Sequence, residues 1–319
     1  MANASERERE LAKSLEDRAV GVVAWESTAC VFLVLSAFLG NALLCLSLYK
    51  TRGFRSPQNY YITSLAVTDM LFGGLCMSFS FGALTEGKWI YGETLCQVQG
   101  SLIFILVCAS VFTMTLIAIN RFFKICKSID VYRKLYVRRN ILLSIALAWV
   151  LSTVVVVAVF SFTNRPFRFH PGKFCCYLDM AYSQGVNLYT LCAYLAVSVI
   201  VFPTMTFCYF RVYKTVREHF AEMAKSEVVQ DASRSFINEA KITKMLFITL
   251  VAFLACWTPS ICLDIFEAFN GQYSLPRRLY FWQIVTFACS SVVMWAFLPC
   301  RLLISDKTLL SGCLAFPQG

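Results

Sequence analysis

The chain has 319 residues, of which 58% are hydrophobic and only 15% are charged, and its formal net charge is +10. Its mean hydropathy is +0.62. A soluble protein of this length needs more polar surface than this composition supplies, which excludes a soluble enzyme. The basic residues flank apolar segments instead of forming one patch, which argues against a nucleic-acid partner.

The apolar residues fall into seven blocks, each long enough to meet the requirement of about 20 residues for a membrane-spanning helix. In hydrocarbon every backbone N–H and C=O must bond within its own segment, so such blocks must be helical. The sequence therefore predicts an all-α fold, a seven-transmembrane helix bundle. The predicted spans are 22–49, 58–84, 93–120, 138–162, 184–210, 244–268 and 279–304.

These spans divide the chain into three parts. Residues 1–21 are charged, lack the apolar core of a signal peptide and are expected to form an N-terminal tail. Residues 22–304 form the membrane domain, and residues 305–319 form a short amphipathic helix and tail that lies against the membrane. Cys313 in this tail is either a palmitoylation site or a structural cysteine.

Charge in the loops predicts the orientation. Lysine and arginine are concentrated in the loops that follow spans one, three and five, whereas the other loops hold few. By the positive-inside rule the basic loops face the cytoplasm and the N-terminus is extracellular. We therefore expect a multi-pass protein of the plasma membrane, surrounded by membrane lipids. In this orientation Asn3, in an Asn-Ala-Ser triplet, is a glycosylation candidate.

Most of the fifteen cysteines lie within predicted spans, where a free thiol behaves as a small apolar side chain. Cys96, Cys175 and Cys176 lie instead on the predicted extracellular side, where disulfides form. Cys96–Cys176 is the preferred pair. Cys175 is the alternative, because sequence cannot decide between adjacent cysteines.

Arg121 follows a long uncharged run that begins at Leu95. A charge at the end of a span avoids lipid and needs a partner, which makes Arg121 a functional-site candidate.

Six short motifs, in this order and spacing, resemble those of the rhodopsin-like (class A) G-protein-coupled receptors, and the resemblance covers nearly the whole chain. The motifs are Gly40-Asn41, Leu65-Ala66-Val67-Thr68-Asp69, Trp89 before Cys96, Asn120-Arg121-Phe122, Trp149, and Phe253 with Cys256-Trp257-Thr258-Pro259. Within the family, the segment from Cys96 to Cys126 is most similar to melatonin receptors.

The resemblance implies a set of switch residues. Glu239 lies 20 residues before Pro259, at the family's position for a salt bridge with the arginine of span three, here Arg121. The alternative is a solvated glutamate. Pro259 is expected to kink span six next to the bulky Phe253 and Trp257. The implied coupling and switch residues are Asn120, Arg121, Phe122, Tyr209, Glu239, Phe253, Trp257, Pro259 and Pro299.

A polar group in the membrane interior is expected around Asp69, with Asn41 and Ser110 facing it. In the family this cluster can hold a sodium ion, and hard cations take oxygen ligands. The alternative is a protonated or water-bonded aspartate. Span seven departs from the family pattern, since Leu298 and Leu302 stand on either side of Pro299 where the family has asparagine and tyrosine. This departure weakens the sodium assignment.

The inferred ligand pocket is apolar with few polar anchors, which suits a small molecule or a peptide end. Ile103 replaces the amine-pairing aspartate of aminergic receptors, and Val292 replaces the lysine of opsins, which excludes a retinal Schiff base. Asp264 either meets a cationic ligand or is a solvated charge at a helix end. The pocket residues are predicted as Gln99, Ile103, Phe104, Val107, Trp257, Ile261, Asp264 and Trp282.

These features predict a G-protein-coupled receptor, not an enzyme, that binds an unknown extracellular small-molecule or peptide ligand and signals through heterotrimeric G proteins. No cofactor is expected apart from the sodium ion considered near Asp69. The losses in span seven motivate an alternative, a receptor-like protein with impaired signalling that acts by heteromerisation or ligand capture.

Overall fold

The computed structural model describes residues 4–50, 56–180, 184–223 and 230–296. In these ranges ten α-helices and one β-hairpin follow each other along the chain. The elements are α1 Ala4–Glu16, α2 Val20–Lys50, α3 Pro57–Leu71, α4 Met77–Glu86, α5 Gly92–Cys126, α6 Ile129–Leu135, α7 Arg138–Val157, β1 Phe167–His170, β2 Cys175–Leu178, α8 Gln184–Met223, α9 Gln230–Asn270 and α10 Arg277–Ala296. A π-helical turn, Phe72–Cys76, joins α3 to α4, so that the two form one long rod.

Seven long rods in the described part of the chain form a bundle around α5, which packs against α3, α7 and α8. Helices α2, α9 and α10 complete the bundle through contacts of α10 with both α2 and α9. Five rods are long and apolar enough to cross a membrane: Val20–Lys50, Pro57–Glu86, Gly92–Cys126, Arg138–Ser161 and Glu239–Asn270. The seven rods together confirm the predicted all-α, seven-helix bundle, to which the short β-hairpin is an addition.

Local chemistry explains several helix ends. Pro57 occupies the first turn of α3, where its missing N–H costs nothing. Gly87 ends α4 in the left-handed conformation, with φ of 73°, which glycine adopts without strain.

Apolar side chains on the outside of α2, such as Phe32 and Leu43, are exposed. Such exposure suits contact with lipid tails and would be costly in water.

Three rods run well past their predicted spans. Helix α5 continues to Cys126, α8 continues to Met223, and α9 begins at Gln230. The extensions of α8 and α9 are largely polar, and that of α5 begins with the charge of Arg121, so a search for uncharged apolar runs stops before them. Asn3, Pro299, Leu298, Leu302, Cys313 and the predicted tail helix of 305–319 lie outside the described residues.

One end of the bundle, which we call the hairpin face, is covered by the β-hairpin and by α1. Strands β1 and β2 are antiparallel, and His170 pairs with Cys175 at the last position before the turn. Leu15 of α1 is fully buried against Leu84, Phe174 and Phe281. Residues 1–21 are thus more than the tail expected from their charge, because most of them form a helix that packs on the bundle.

Candidate functional site

A cavity of about 190 Å³ lies under the hairpin, between the hairpin-face halves of the helices. Its walls are mainly aliphatic and aromatic. Six of the residues predicted for the ligand pocket line it: Ile103, Phe104, Val107, Trp257, Ile261 and Asp264. Gln283 of α10 and Tyr177 of β2 add polar groups next to Asp264. A largely apolar cavity with a few converging polar groups has the character of a small-molecule site.

Two predicted pocket residues do not line the cavity. Trp282 is 56% exposed on the outside of α10. The side chain of Gln99 is buried, and it donates to the Cys76 carbonyl at 2.9 Å and accepts from the Cys176 backbone N–H at 2.9 Å. Gln99 therefore holds the hairpin to α5. Trp282 was predicted to line the pocket, but it lies on the outer surface of α10, and the neighbouring Gln283 faces the cavity instead.

Asp264 and Glu267 lie one helical turn apart on α9, and both are buried against Lys173, the residue in the hairpin turn. The Lys173 ammonium nitrogen lies 2.9 Å from Asp264 Oδ1 and 2.8 Å from Glu267 Oε2. The side chains of Lys173 and Glu267 are both fully buried. Asp264 is thus neither a solvated charge nor an unpaired carboxylate, since the chain supplies its own cation.

Uncharged groups donate further hydrogen bonds to the carboxylates of Asp264 and Glu267. The Tyr177 hydroxyl donates to Asp264 Oδ2 at 2.7 Å, and the Gln283 amide donates to Asp264 Oδ1 at 2.9 Å. The Tyr280 hydroxyl donates to Glu267, and the Tyr273 backbone N–H does so at 2.9 Å. A buried ion pair is tolerated only when its remaining polar atoms are bonded in this way.

The environment sets the protonation of the two hairpin bases. Burial by itself would lower the pKa of Lys173, but Asp264 and Glu267 outweigh it and raise the pKa above its ordinary range. Burial lowers the pKa of His170, despite the nearby Glu267 carboxylate. His170 Nδ1 accepts a long hydrogen bond from the Lys173 backbone N–H at 3.3 Å, which suits a neutral imidazole.

A disulfide and side-chain hydrogen bonds hold the hairpin to α5. Cys96 and Cys176 are bonded to each other, while Cys175 is a free, buried thiol. Gln97 bonds both the carbonyl and the N–H of Phe167, at 2.7 and 3.2 Å. Gly100 makes room for the ring of Phe167, since a Cβ there would overlap it. The preferred cysteine pair is the one observed.

The N-terminal segment adds a second ionic cluster to the hairpin face. Glu26 of α2 is buried and accepts from Arg18 at 2.7 Å and from Arg277 at 2.6 Å. Arg18 also donates to the carbonyls of Leu15 and Leu84. These contacts tie α1 to α2, α4 and α10, so the N-terminal helix is part of the covering of the cavity.

Below the cavity, Phe253 and Trp257 stack on each other along α9, with ring centroids 5.2 Å apart and planes at 25°. Helix α9 continues through Pro259, two residues beyond Trp257. Tyr209 of α8 is buried and packs on Phe247 of α9, with centroids 5.4 Å apart. The predicted lever residues therefore lie on one path along α9.

Asp69 lies in the middle of the bundle, and it has a partner that the sequence did not reveal. Ser291 of α10 hydrogen-bonds to Asp69, and its carbonyl accepts from Asn41 at 2.9 Å. Ser110 instead shares a hydrogen bond of 3.0 Å with Thr68. Asp69 Oδ2 and Asn41 Oδ1 have no hydrogen-bond partner among the described residues. Both are hard oxygen atoms of the kind that bind sodium, so the sodium assignment stays a prediction.

Arg121 lies at the opposite end of the bundle, which we call the arginine face. Its guanidinium Nη1 lies 3.0 Å from Glu239 Oε2 on α9, and its Nη2 donates to Gln58 on α3. Lys124 lies 3.8 Å from the other oxygen of Glu239. The Arg121 side chain is 3% exposed, whereas that of Glu239 is 33% exposed. The predicted contact between Arg121 and Glu239 is thus present, with one partner open to solvent.

The neighbours of Arg121 have separate partners. Asn120 donates to the Tyr132 hydroxyl of α6 at 3.3 Å and so connects α5 to the following loop. Phe122 packs on Phe207 of α8, with centroids 5.8 Å apart. Lys124 also lies over the Tyr132 ring, 4.9 Å from its centroid. The arginine face therefore joins α3, α5, α6, α8 and α9 through side chains of one short motif.

Comparison with known proteins agrees with this architecture. The sequence profile of the family described as 7 transmembrane receptor (rhodopsin family) matches residues 40–297. Squid rhodopsin superposes with a TM-score of 0.78 at 19% identity, over 94% of this chain and 89% of that chain. The chain therefore belongs to the rhodopsin family of seven-transmembrane receptors, and it is a membrane receptor rather than an enzyme.

Curated relatives include two kinds of receptor. Melatonin receptor type 1B-B of Danio rerio is 28% identical over 263 residues, which are 82% of this chain and 72% of the relative. Melatonin receptor type 1C of Gallus gallus is 30% identical over 75% of this chain and 66% of the relative. The 5-hydroxytryptamine receptor 4 of Homo sapiens is 28% identical over 78% of this chain and 69% of the relative.

Proposed function

We propose that this receptor binds an extracellular small molecule in the cavity under the hairpin and activates heterotrimeric G proteins at the arginine face. The observation that carries the proposal is the Arg121–Glu239 contact of 3.0 Å between α5 and α9. It lies at the end of the bundle where the loops are rich in lysine and arginine, which the positive-inside rule assigns to the cytoplasm. The hairpin face is then extracellular, in the plasma membrane.

The path between the two ends runs along α9. A ligand in the cavity meets Trp257, which stacks on Phe253 toward the arginine face. Pro259 leaves a backbone carbonyl without its helical partner, so α9 bends there more readily than elsewhere. A ligand that favours one packing of Trp257 thereby shifts the equilibrium between closed and open arginine faces.

The closed state is held by the contact between Arg121 and Glu239. Because one third of the Glu239 side chain is exposed, water competes with the ion pair and the pair can separate at modest cost. Separation releases Arg121 and moves α9 away from α5, which opens the arginine face. The basic residues Lys124 and Lys127 lie beside this opening and suit a partner with acidic groups.

The similar receptors suggest the chemical class of the ligand. Receptors named for melatonin and for 5-hydroxytryptamine suggest a small aromatic molecule rather than a protein ligand. The cavity has a volume of about 190 Å³ and largely apolar walls, which favours a small, mainly apolar ligand. Val159, Ile103 and Lys173 line the cavity and would contact a ligand bound there.

A G-protein recruitment screen with all Gα classes and a broad panel of small molecules tests the proposal. We expect recruitment by the parent chain and its loss in Arg121→Ala, while the exposed Arg165→Ala beside the hairpin serves as the matched control. A chain that reaches the cell surface and recruits no Gα class with any ligand, or without one, would favour the alternative function in heteromerisation or ligand capture.

A further inference from the structure

The hairpin turn presents Lys173 to the cavity in a fixed position. The backbone N–H groups of Lys173 and Phe174 both donate to the His170 carbonyl at 3.0 Å, and Pro171 and Gly172 occupy the middle of the turn. A Cβ on Gly172 would overlap the ring of Tyr280, so only glycine lets the turn approach α10 this closely. The chain therefore inserts the turn between its helices.

Phe174 shows that tertiary contacts hold this turn. Its φ is 54°, in the left-handed region that a bulky residue rarely adopts. Such a conformation persists only when surrounding contacts over-determine it. Those contacts are the packing of Phe174 on Leu15, Leu84 and Phe281, and the ion pairs of the adjacent Lys173.

The Lys173 ammonium occupies what is, chemically, a site for an alkylammonium ion. It lies between two carboxylates at 2.9 and 2.8 Å and 3.8 Å from the centroid of the Tyr177 ring. Charge-assisted hydrogen bonds and an aromatic face are the features by which proteins recognise organic cations. The site is complete, and the cation in it belongs to the chain itself.

A second cation has no favourable position in the cavity. Among the described residues that line it, Asp264 is the only acidic one, and Lys173 already neutralises part of its charge. A cationic ligand at Asp264 would have to displace Lys173 from that carboxylate, which would leave the fully buried ammonium with Glu267 as its remaining acidic partner and a second positive charge beside it. Uncharged ligands meet neither obstacle, because the remaining walls are apolar.

We propose that Lys173 is the specificity-determining residue of the cavity: it fills the alkylammonium position with the chain's own side chain and thereby excludes ligands that carry an ammonium group. The ligand class that remains is uncharged and largely apolar. This proposal rests on the cavity being the ligand site of the proposed function, but the occupancy by Lys173 is testable without any signalling.

Chemical rescue tests the proposal directly. Lys173→Ala removes the Cγ–Cδ–Cε–Nζ fragment, which is n-propylammonium. We expect the purified Lys173→Ala receptor to unfold at a lower temperature than the parent, and n-propylammonium chloride to raise that temperature by several degrees in a saturable way. n-Propanol with sodium chloride at equal ionic strength, the parent receptor, and the exposed Lys88→Ala variant should show no comparable rise.

Further variants keep the test decisive. If Lys173→Ala does not fold, Lys173→Ala with Glu267→Gln retains one carboxylate and a smaller uncompensated charge, and it should respond to the same ion. Lys173→Ala with Asp264→Asn and Glu267→Gln has no carboxylate and should lose the response. Equal stabilisation of the parent, equal rescue of the triple variant, or no rescue in both carboxylate-bearing variants would overturn the proposal. Absence of G-protein activation would contradict the proposed function and leave these unfolding temperatures unchanged.

Discussion

At each end of the bundle, a buried basic side chain contacts acidic side chains of α9. Only at the arginine face is one partner of the ion pair exposed to water. At the hairpin face, Lys173 and Glu267 are fully buried, and Glu267 Oε1 accepts two further hydrogen bonds, from the Tyr273 backbone N–H and the Tyr280 hydroxyl. At the arginine face, Arg121 is buried but Glu239 is 33% exposed. The same kind of contact therefore has two consequences: the enclosed pair fixes the fold, and the half-open pair can separate.

Elementary electrostatics explains the difference. Taking a charge out of water is expensive, so separation of the enclosed pair would leave charges that no solvent stabilises. Water and salt screen an exposed carboxylate, which makes separation of the other pair inexpensive. We expect α9 to be anchored at Glu267 and mobile at Glu239, with Pro259 between the two.

The largest effect should follow removal of the anchor. Glu267→Ala leaves Lys173 with one carboxylate, and breaking a buried pair typically costs about 3–5 kcal/mol. Glu239→Ala should cost about 1 kcal/mol, because Glu239 is open to water and Arg121 keeps its contact with Gln58. Thermal unfolding of both variants in the same detergent measures the contrast, and similar losses in both would remove the distinction between the two ends.

The disulfide should rank next. It pins the hairpin to α5, and such bridges typically contribute about 2–4 kcal/mol. Cys96→Ala should therefore lower both surface expression and the unfolding temperature, whereas Cys175→Ala, which removes a free thiol beside the bridge, should have a smaller effect. Peptide mapping of non-reduced protein that finds both Cys96 and Cys176 as free thiols would contradict the assignment.

A smaller, pH-dependent effect should arise from His170. Burial lowers its pKa below the ordinary 6.5, so the unfolded chain binds a proton more readily than the folded receptor. The contribution of His170 to stability is therefore complete above about pH 6.5, and it falls as the pH decreases toward the pKa of the folded state. Lys173 contributes nothing in this window, because it is protonated in both states.

Unfolding temperatures of the parent and of His170→Gln between pH 5 and pH 8 measure this effect. The parent should lose stability toward pH 5, and the variant should show a flatter profile. Parallel profiles would mean that other groups titrate in this range.

Much of the bundle could be predicted from hydropathy alone, because lipid-facing and core-facing residues are both apolar and form long blocks. Hydropathy does not mark the polar extensions of α8 and α9, but in the sequence residues 218–240 already read as helical extensions of spans five and six joined by a polar segment. Helix α1 has a weaker signal in the sequence. Its strong helix formers and the Leu11–Leu15 pair, four residues apart, are typical of a short amphipathic helix.

The two ion pairs of the candidate site also differ in how well the sequence could predict them. The contact of Arg121 with Glu239 followed from the resemblance to rhodopsin-like receptors, because Glu239 lies 20 residues before Pro259, at the family's position for a salt bridge with the arginine of span three. The contacts of Lys173 did not, since the path of a loop is set by tertiary packing and a loop lysine is usually solvated. Pro171-Gly172 between two short β-prone segments was the available sign of a hairpin.

The measurement that most directly tests the half-open pair as a switch is ligand-independent nucleotide exchange on purified Gα, with parent and Glu239→Ala receptors at matched amounts. Loss of Glu239 frees Arg121 from α9, so we expect basal exchange to rise severalfold in the variant, while the exposed Glu218→Ala on α8 behaves like the parent. Exchange that stays at the parent level in Glu239→Ala, with a Gα class that the parent recruits, would contradict this account.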